Sequence, residues 1–60
     1  MQVQKDDVRN KIIASATEEF LNAGYQQSSM RSIAAKAGIT VGNVYAYFGG
    51  KAALFESIIS

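Results

Sequence analysis

From Ser29 to Phe48 the apolar and polar positions follow a helical period that breaks once. Met30, Ile33, Ala34 and Ala37 share one stripe while Arg31, Ser32, Ala35 and Lys36 share the other, which predicts an amphipathic helix over about 29–37. The pattern restarts after Ala37-Gly38-Ile39-Thr40. Val41, Val44, Tyr45 and Phe48 form the second apolar stripe, and Gly42, Asn43, Ala46 and Tyr47 point the opposite way, predicting a helix over about 41–48. That outward set is small or hydrogen-bonding, and uncharged. Gly38 suits a left-handed residue just past a helix end, and Thr40 suits an N-cap, so the two helices must cross and not continue. This is the helix-turn-helix pattern.

The flanks add two further helical patterns. From Asp6 or Asp7, suited to a helix N-terminus as caps and by dipole, a period of 3.6 runs over about 6–23 with Ile12, Ile13, Ala16, Phe20 and Ala23 on its apolar stripe. Arg9 lies on the same stripe one turn earlier, where its stem can cover the core's edge while the guanidinium reaches water, an acid or a phosphate. Gly24 ends the helix, and Tyr25 is placed to pack back over that end. Either Ser28 or Ser29 can cap the helix that follows. Phe48-Gly49-Gly50-Lys51 breaks the pattern again, and a fourth helix begins with Leu54, Phe55, Ile58 and Ile59 on one side. Residues 1–5 are polar without a period and read as a disordered arm. The expected fold is all-α, a three-helix, homeodomain-like helix-turn-helix bundle over 6–50 with the start of a fourth helix over 51–60.

Composition narrows the function. A chain of 60 residues buries only about 60% of its unfolded surface, enough for one small core. It contains no cysteine and no histidine, which removes thiolate and imidazole ligands and the usual general base, so neither an enzyme nor a metal or cofactor site is expected. No apolar run fits a signal peptide or a membrane span, and a cytoplasmic protein is the default. The net charge of +1 does not by itself suggest nucleic acid. Its distribution does more. The acids stand at Asp6, Asp7, Glu18, Glu19 and Glu56, outside the central unit, whereas Arg31, Lys36 and Lys51 lie inside it or at its edge. Two function classes fit: a DNA reader, and a small helical protein–protein interaction module that docks an apolar face on a partner.

Arg9, Ile12, Ala16, Phe20, Gly24-Tyr25, Ser28-Ser29, Ile33-Ala34, Ala37-Gly38-Ile39-Thr40, Gly42-Asn43-Val44-Tyr45-Ala46-Tyr47-Phe48 and Lys51-Ala52-Ala53-Leu54-Phe55 together resemble the N-terminal DNA-binding domain of the tetracycline-repressor (TetR/AcrR) family. The resemblance covers about Val8 to Ile59 in one register without gaps. It implies a dimeric, mostly repressing transcription regulator that binds a palindromic operator in double-stranded DNA. It also implies a larger helical domain after residue 60 that binds a small-molecule effector and forms the homodimer.

The resemblance assigns roles by position. Arg31, Val41, Gly42, Asn43, Ala46 and Tyr47 would face bases or the groove. Ser28, Ser29, Thr40, Tyr45 and Lys51 would face phosphates. Thr40 is compatible with a simple N-cap as well as a phosphate contact. Gly42 and Ala46 keep the outward face low, and Asn43 can pair with adenine or bond a phosphate. Tyr45 is expected to bury its ring while its hydroxyl reaches the rim. Lys51 is a cation at a helix N-terminus, opposed by the dipole by about 0.3–1 kcal/mol, a penalty that a phosphate there would reverse. Two positions depart from the pattern: Met30 replaces a hydroxyl found in some relatives, and Val41 stands where several carry Lys.

Overall fold

Four helices make up the computed structural model, which describes residues 5–60 and side chains from Asp7 onward: α1 Lys5–Ala23, α2 Met30–Ala37, α3 Val41–Tyr47 and α4 Lys51–Ile59. Of the arm expected over 1–5, residues 1–4 lie outside the described residues and Lys5 is already part of α1. Because α1 already includes Lys5, Asp6 and Asp7 occupy its first turn and do not cap it. Acids there are still favoured by the helix dipole. No helix among the described residues is long and apolar enough to cross a membrane.

The helices are held by one core. Ile12 and Ala16 of α1, Ile33 of α2, Val44 of α3 and Leu54 of α4 have no exposed surface, and Met30, Ala34 and Phe48 complete the cluster. Each fully buried aliphatic side chain contributes about 1.5–3 kcal/mol relative to exposure. The α2 stripe reads as the period requires, with Met30, Ile33, Ala34 and Ala37 all buried. On α1 the buried face is displaced: Ala23 is exposed, whereas Glu19 is only 8% exposed. The connection after α1 accounts for this, since it folds back and sets Ser28 Oγ 3.3 Å from the Glu19 carbonyl. On α4, Leu54 is buried and Phe55 and Ile58 are partly so, but Ile59 stays 65% exposed.

Local chemistry fixes the crossing of α2 and α3. Gly38 adopts φ 74°, ψ 29°, and its N–H donates to the Ala35 carbonyl at 3.2 Å while the Ile39 N–H reaches Ala34 at 3.1 Å. This double reversal satisfies carbonyls that the helix end leaves open. Ile39 then packs against the core. Gly24, at φ 81°, ends α1 in the same left-handed region.

Behind the core, Phe20, Tyr25 and Phe55 form a ring cluster with centroids 5.2–5.6 Å apart. Tyr25 thus covers the end of α1 and joins it to α4. Such aromatic pairs add about 0.5–1.5 kcal/mol each beyond their buried area.

Candidate nucleic-acid interface

Two hydroxyl residues start the helices that form the site. Ser29, extended at φ −139° and ψ 154°, accepts from the Ser32 amide at 3.1 Å and donates to Ser32 Oγ at 3.0 Å. It is therefore Ser29, not Ser28, that caps α2. Thr40 caps α3 in the same way, its Oγ1 accepting from the Asn43 amide at 3.1 Å. Each cap is worth about 1 kcal/mol against alanine. The crossing brings these two helix starts side by side, so Ser29, Met30, Arg31, Val41 and Tyr45 line one open groove.

The outer face of α3 carries Gly42, Asn43, Tyr45 and Ala46, all exposed. A Cβ built on Gly42 would meet only Thr40 Oγ1, at 3.9 Å, an ordinary contact. The fold does not require glycine there, and its bareness is free to serve the outer surface. The two tyrosines are placed differently from the helical reading. Tyr45 is 53% exposed, whereas Tyr47 is half-buried and packs on the core. The helix has only seven residues, and the chain leaves it at Phe48 with φ −136° and ψ 133°. The buried side of α3 is centred on Val44, so Tyr47, at i+3, lies on that side while Tyr45, the next residue after Val44, is turned about 100° away from it.

The cations are mostly engaged within the chain. Lys36 pairs with Glu18 at 3.1 Å, across α2 and α1, and is exposed enough for that pair to contribute little. Lys51 Nζ turns toward the α1–α2 connection, donating to the Tyr25 carbonyl at 2.6 Å and the Ser28 carbonyl at 3.0 Å. Of the central unit's cations only Arg31 lines the groove. Ser28 is also turned inward: it is 4% exposed, and its Oγ donates to the Gly24 carbonyl at 2.6 Å. Its hydroxyl closes the turn after α1 and does not stand at the surface.

The sequence pattern of the bacterial regulatory proteins of the tetR family matches residues 12–58. The chain belongs to the tetR family. The transcriptional repressor BepR of Brucella suis biovar 1 is 40% identical over 53 residues, which are 88% of this chain and 25% of BepR. The transcriptional regulator SrpR of Pseudomonas putida is 33% identical over 57 residues, 95% of this chain and 27% of SrpR. A crystal structure of an alanine-substituted mutant of HlyIIR superposes with a TM-score of 0.92 at 26% identity, covering 97% of this chain and 32% of that one. The chain thus spans about a quarter of the length of these curated relatives. They are transcription regulators and not enzymes, so a tetR-type helix-turn-helix unit is what the groove and α3 belong to.

Within that tetR-type unit, the residues expected to meet DNA divide into three groups. Ser29, Arg31, Val41 and Tyr45 come together at the groove, and Thr40, Gly42, Asn43 and Ala46 continue that surface along α3. Tyr47 stands apart with its ring against the core, and Ser28 and Lys51 direct their polar atoms into the loop. Sequence reasoning did not find the partner of Arg9: its guanidinium carbon lies 5.5 Å from the centroid of Phe48, at the end of α3. An arginine on an apolar stripe was the only signal for it.

Proposed function

We propose that this chain is one reading head of a ligand-responsive repressor, placing α3 in the major groove of its operator. The exposed face of α3 carries the reading. Gly42, Asn43 and Ala46 have no part in the core, yet they form a low, uncharged surface bordered by Arg31 and Tyr45. Asn43 would pair with a base edge and Arg31 with a guanine or a phosphate. The hydroxyls of Thr40 and Tyr45 would meet phosphate oxygens, since the cap engages only the acceptor side of Thr40 and leaves its proton to donate, whereas Ser29 would have to give up its bond to Ser32 Oγ to do the same.

A helix of seven residues is about 10 Å long and places fewer than two turns against the bases. One head reads few base pairs, so useful affinity requires a second copy across a two-fold axis. The recognition helices of such a homodimer would sit about 34–36 Å apart, or a multiple of it, and the operator would be palindromic. α4 would connect each head to a ligand-binding and dimerising domain. A small-molecule effector that tilts α4 would spoil the spacing of both heads together. The site of action is the cytoplasm, where the DNA lies.

The test is selection from a random duplex pool by two copies of the chain joined through a linker after Ser60. Enriched duplexes should carry an inverted repeat with half-site centres about 10–10.5 base pairs apart or a multiple of that. A pool in which no sequence is enriched contradicts the reading.

A further inference from the structure

Lys51 opens α4, where its charge opposes the helix dipole and no side chain caps the first turn. Taken alone, that arrangement asks for an anion from outside. The structure supplies partners from inside. Nζ lies 2.6 Å from the Tyr25 carbonyl oxygen, 3.0 Å from that of Ser28 and 4.3 Å from the centroid of the Tyr25 ring. An ammonium has three N–H donors, and two carbonyls with one aromatic face are enough to engage all of them. The side chain is half-buried, which strengthens these contacts relative to exposed ones.

Both carbonyls belong to the connection between α1 and α2, 26 and 23 residues away in sequence. Ser28 immediately precedes Ser29, the cap of α2, and Arg31 follows within the first turn. Whatever holds the Ser28 carbonyl therefore sets where α2 begins and where Arg31 enters the groove. We infer that Lys51 is a positioning residue for DNA reading: it tethers the α1–α2 connection to the start of α4 and so fixes the Ser29 cap and Arg31, in place of neutralising a DNA phosphate. The functional half of this inference rests on the DNA-reading proposal above, and the tether itself does not.

Two measurements separate the possibilities. The first needs no DNA and no substitution: the Lys51 ammonium protons are observed by nitrogen-15 NMR in the free chain at low temperature. A tether predicts a slowly exchanging ammonium signal that is present before DNA is added and unmoved by it. A signal that is absent from the free chain and appears only with DNA overturns the tether.

The second measurement compares the wild-type chain with Lys51→Met on a selected duplex over a range of salt concentrations. Positioning predicts that affinity falls roughly tenfold, as the Ser28 carbonyl loses its ammonium donor and the Tyr25 carbonyl keeps only the Ser28 N–H, while the salt slope stays the same. A slope smaller by about 0.9, or unchanged affinity, overturns it. Should Lys51→Met fail to fold, the ammonium signal of the wild-type chain still decides. If the wild-type chain binds no duplex at all, the DNA-reading proposal fails, and the same signal settles the tether separately.

Discussion

Arg9 lies over the ring of Phe48, its guanidinium carbon 5.5 Å from the ring centroid, so a residue near the start of α1 covers the residue that ends α3. Phe48 is otherwise buried among core side chains and 6% exposed. The contact thus closes the edge of the core where α3 gives way to extended chain. Arg9→Ala should lower stability by about 0.5–1 kcal/mol, the range of an exposed cation–π pair. In a domain this small that is a drop in Tm of several degrees, readable by circular dichroism. An unchanged Tm would show that the pair holds nothing.

Phe48 itself should matter far more. Phe48→Ala removes a ring that packs with Val44, Ile33 and Leu54 in the same cluster, at a cost of about 3–5 kcal/mol. That is comparable to the whole stability of a domain of this size, so the variant should be unfolded at room temperature. A cooperative thermal transition retained in Phe48→Ala would mean that the α3 end does not contribute to the core.

Gly42→Ala separates stability from reading. The added methyl meets only Thr40 Oγ1 at an ordinary distance, and alanine is the better helix former, so Tm should rise or hold, corresponding to about 0.4–1 kcal/mol. DNA affinity should nonetheless fall, because the methyl stands on the face proposed to approach the groove floor. A variant that is more stable and binds DNA equally well would remove Gly42 from the interface.

Much of this arrangement was legible in the sequence because short-range chemistry dictates it. The Gly38 turn and the Thr40 cap are decided by residues within a few positions of each other, and the α2 stripe follows a clean period ending at that turn. The tyrosines were not legible in the same way. In a helix of seven residues the apolar positions fit more than one stripe, and packing centres the buried side on Val44, which brings Tyr47 inward at i+3 and leaves Tyr45 outside. The Lys51 contacts were out of reach for another reason: they are backbone carbonyls more than twenty residues away, which no side-chain pattern encodes. Glu19 was missed likewise, its burial coming from the way the following connection folds back over α1.

The placement of the tyrosines makes its own prediction. Tyr45→Phe removes only a hydroxyl from an exposed ring, so fold and Tm should be unchanged while DNA affinity falls by about 0.5–1.5 kcal/mol. Tyr47→Ala should instead lower Tm, since its ring packs on the core. Equal loss of DNA affinity in the two variants at unchanged Tm would show that Tyr47, too, faces the DNA.

The outer face of α3, with Arg31 at its border, is proposed to read bases while hydroxyls hold the backbone. The most direct measurement of that role is the affinity of the wild-type chain and of Asn43→Ala for a selected duplex and for a scrambled one, each titrated at several salt concentrations by fluorescence anisotropy. Wild type should prefer the selected duplex, and binding to both should weaken with salt. In Asn43→Ala the preference should shrink by about 1–3 kcal/mol, with the salt slope and the circular dichroism spectrum unchanged. Equal binding of both duplexes by wild type, or a preference that Asn43→Ala leaves intact, would contradict that role.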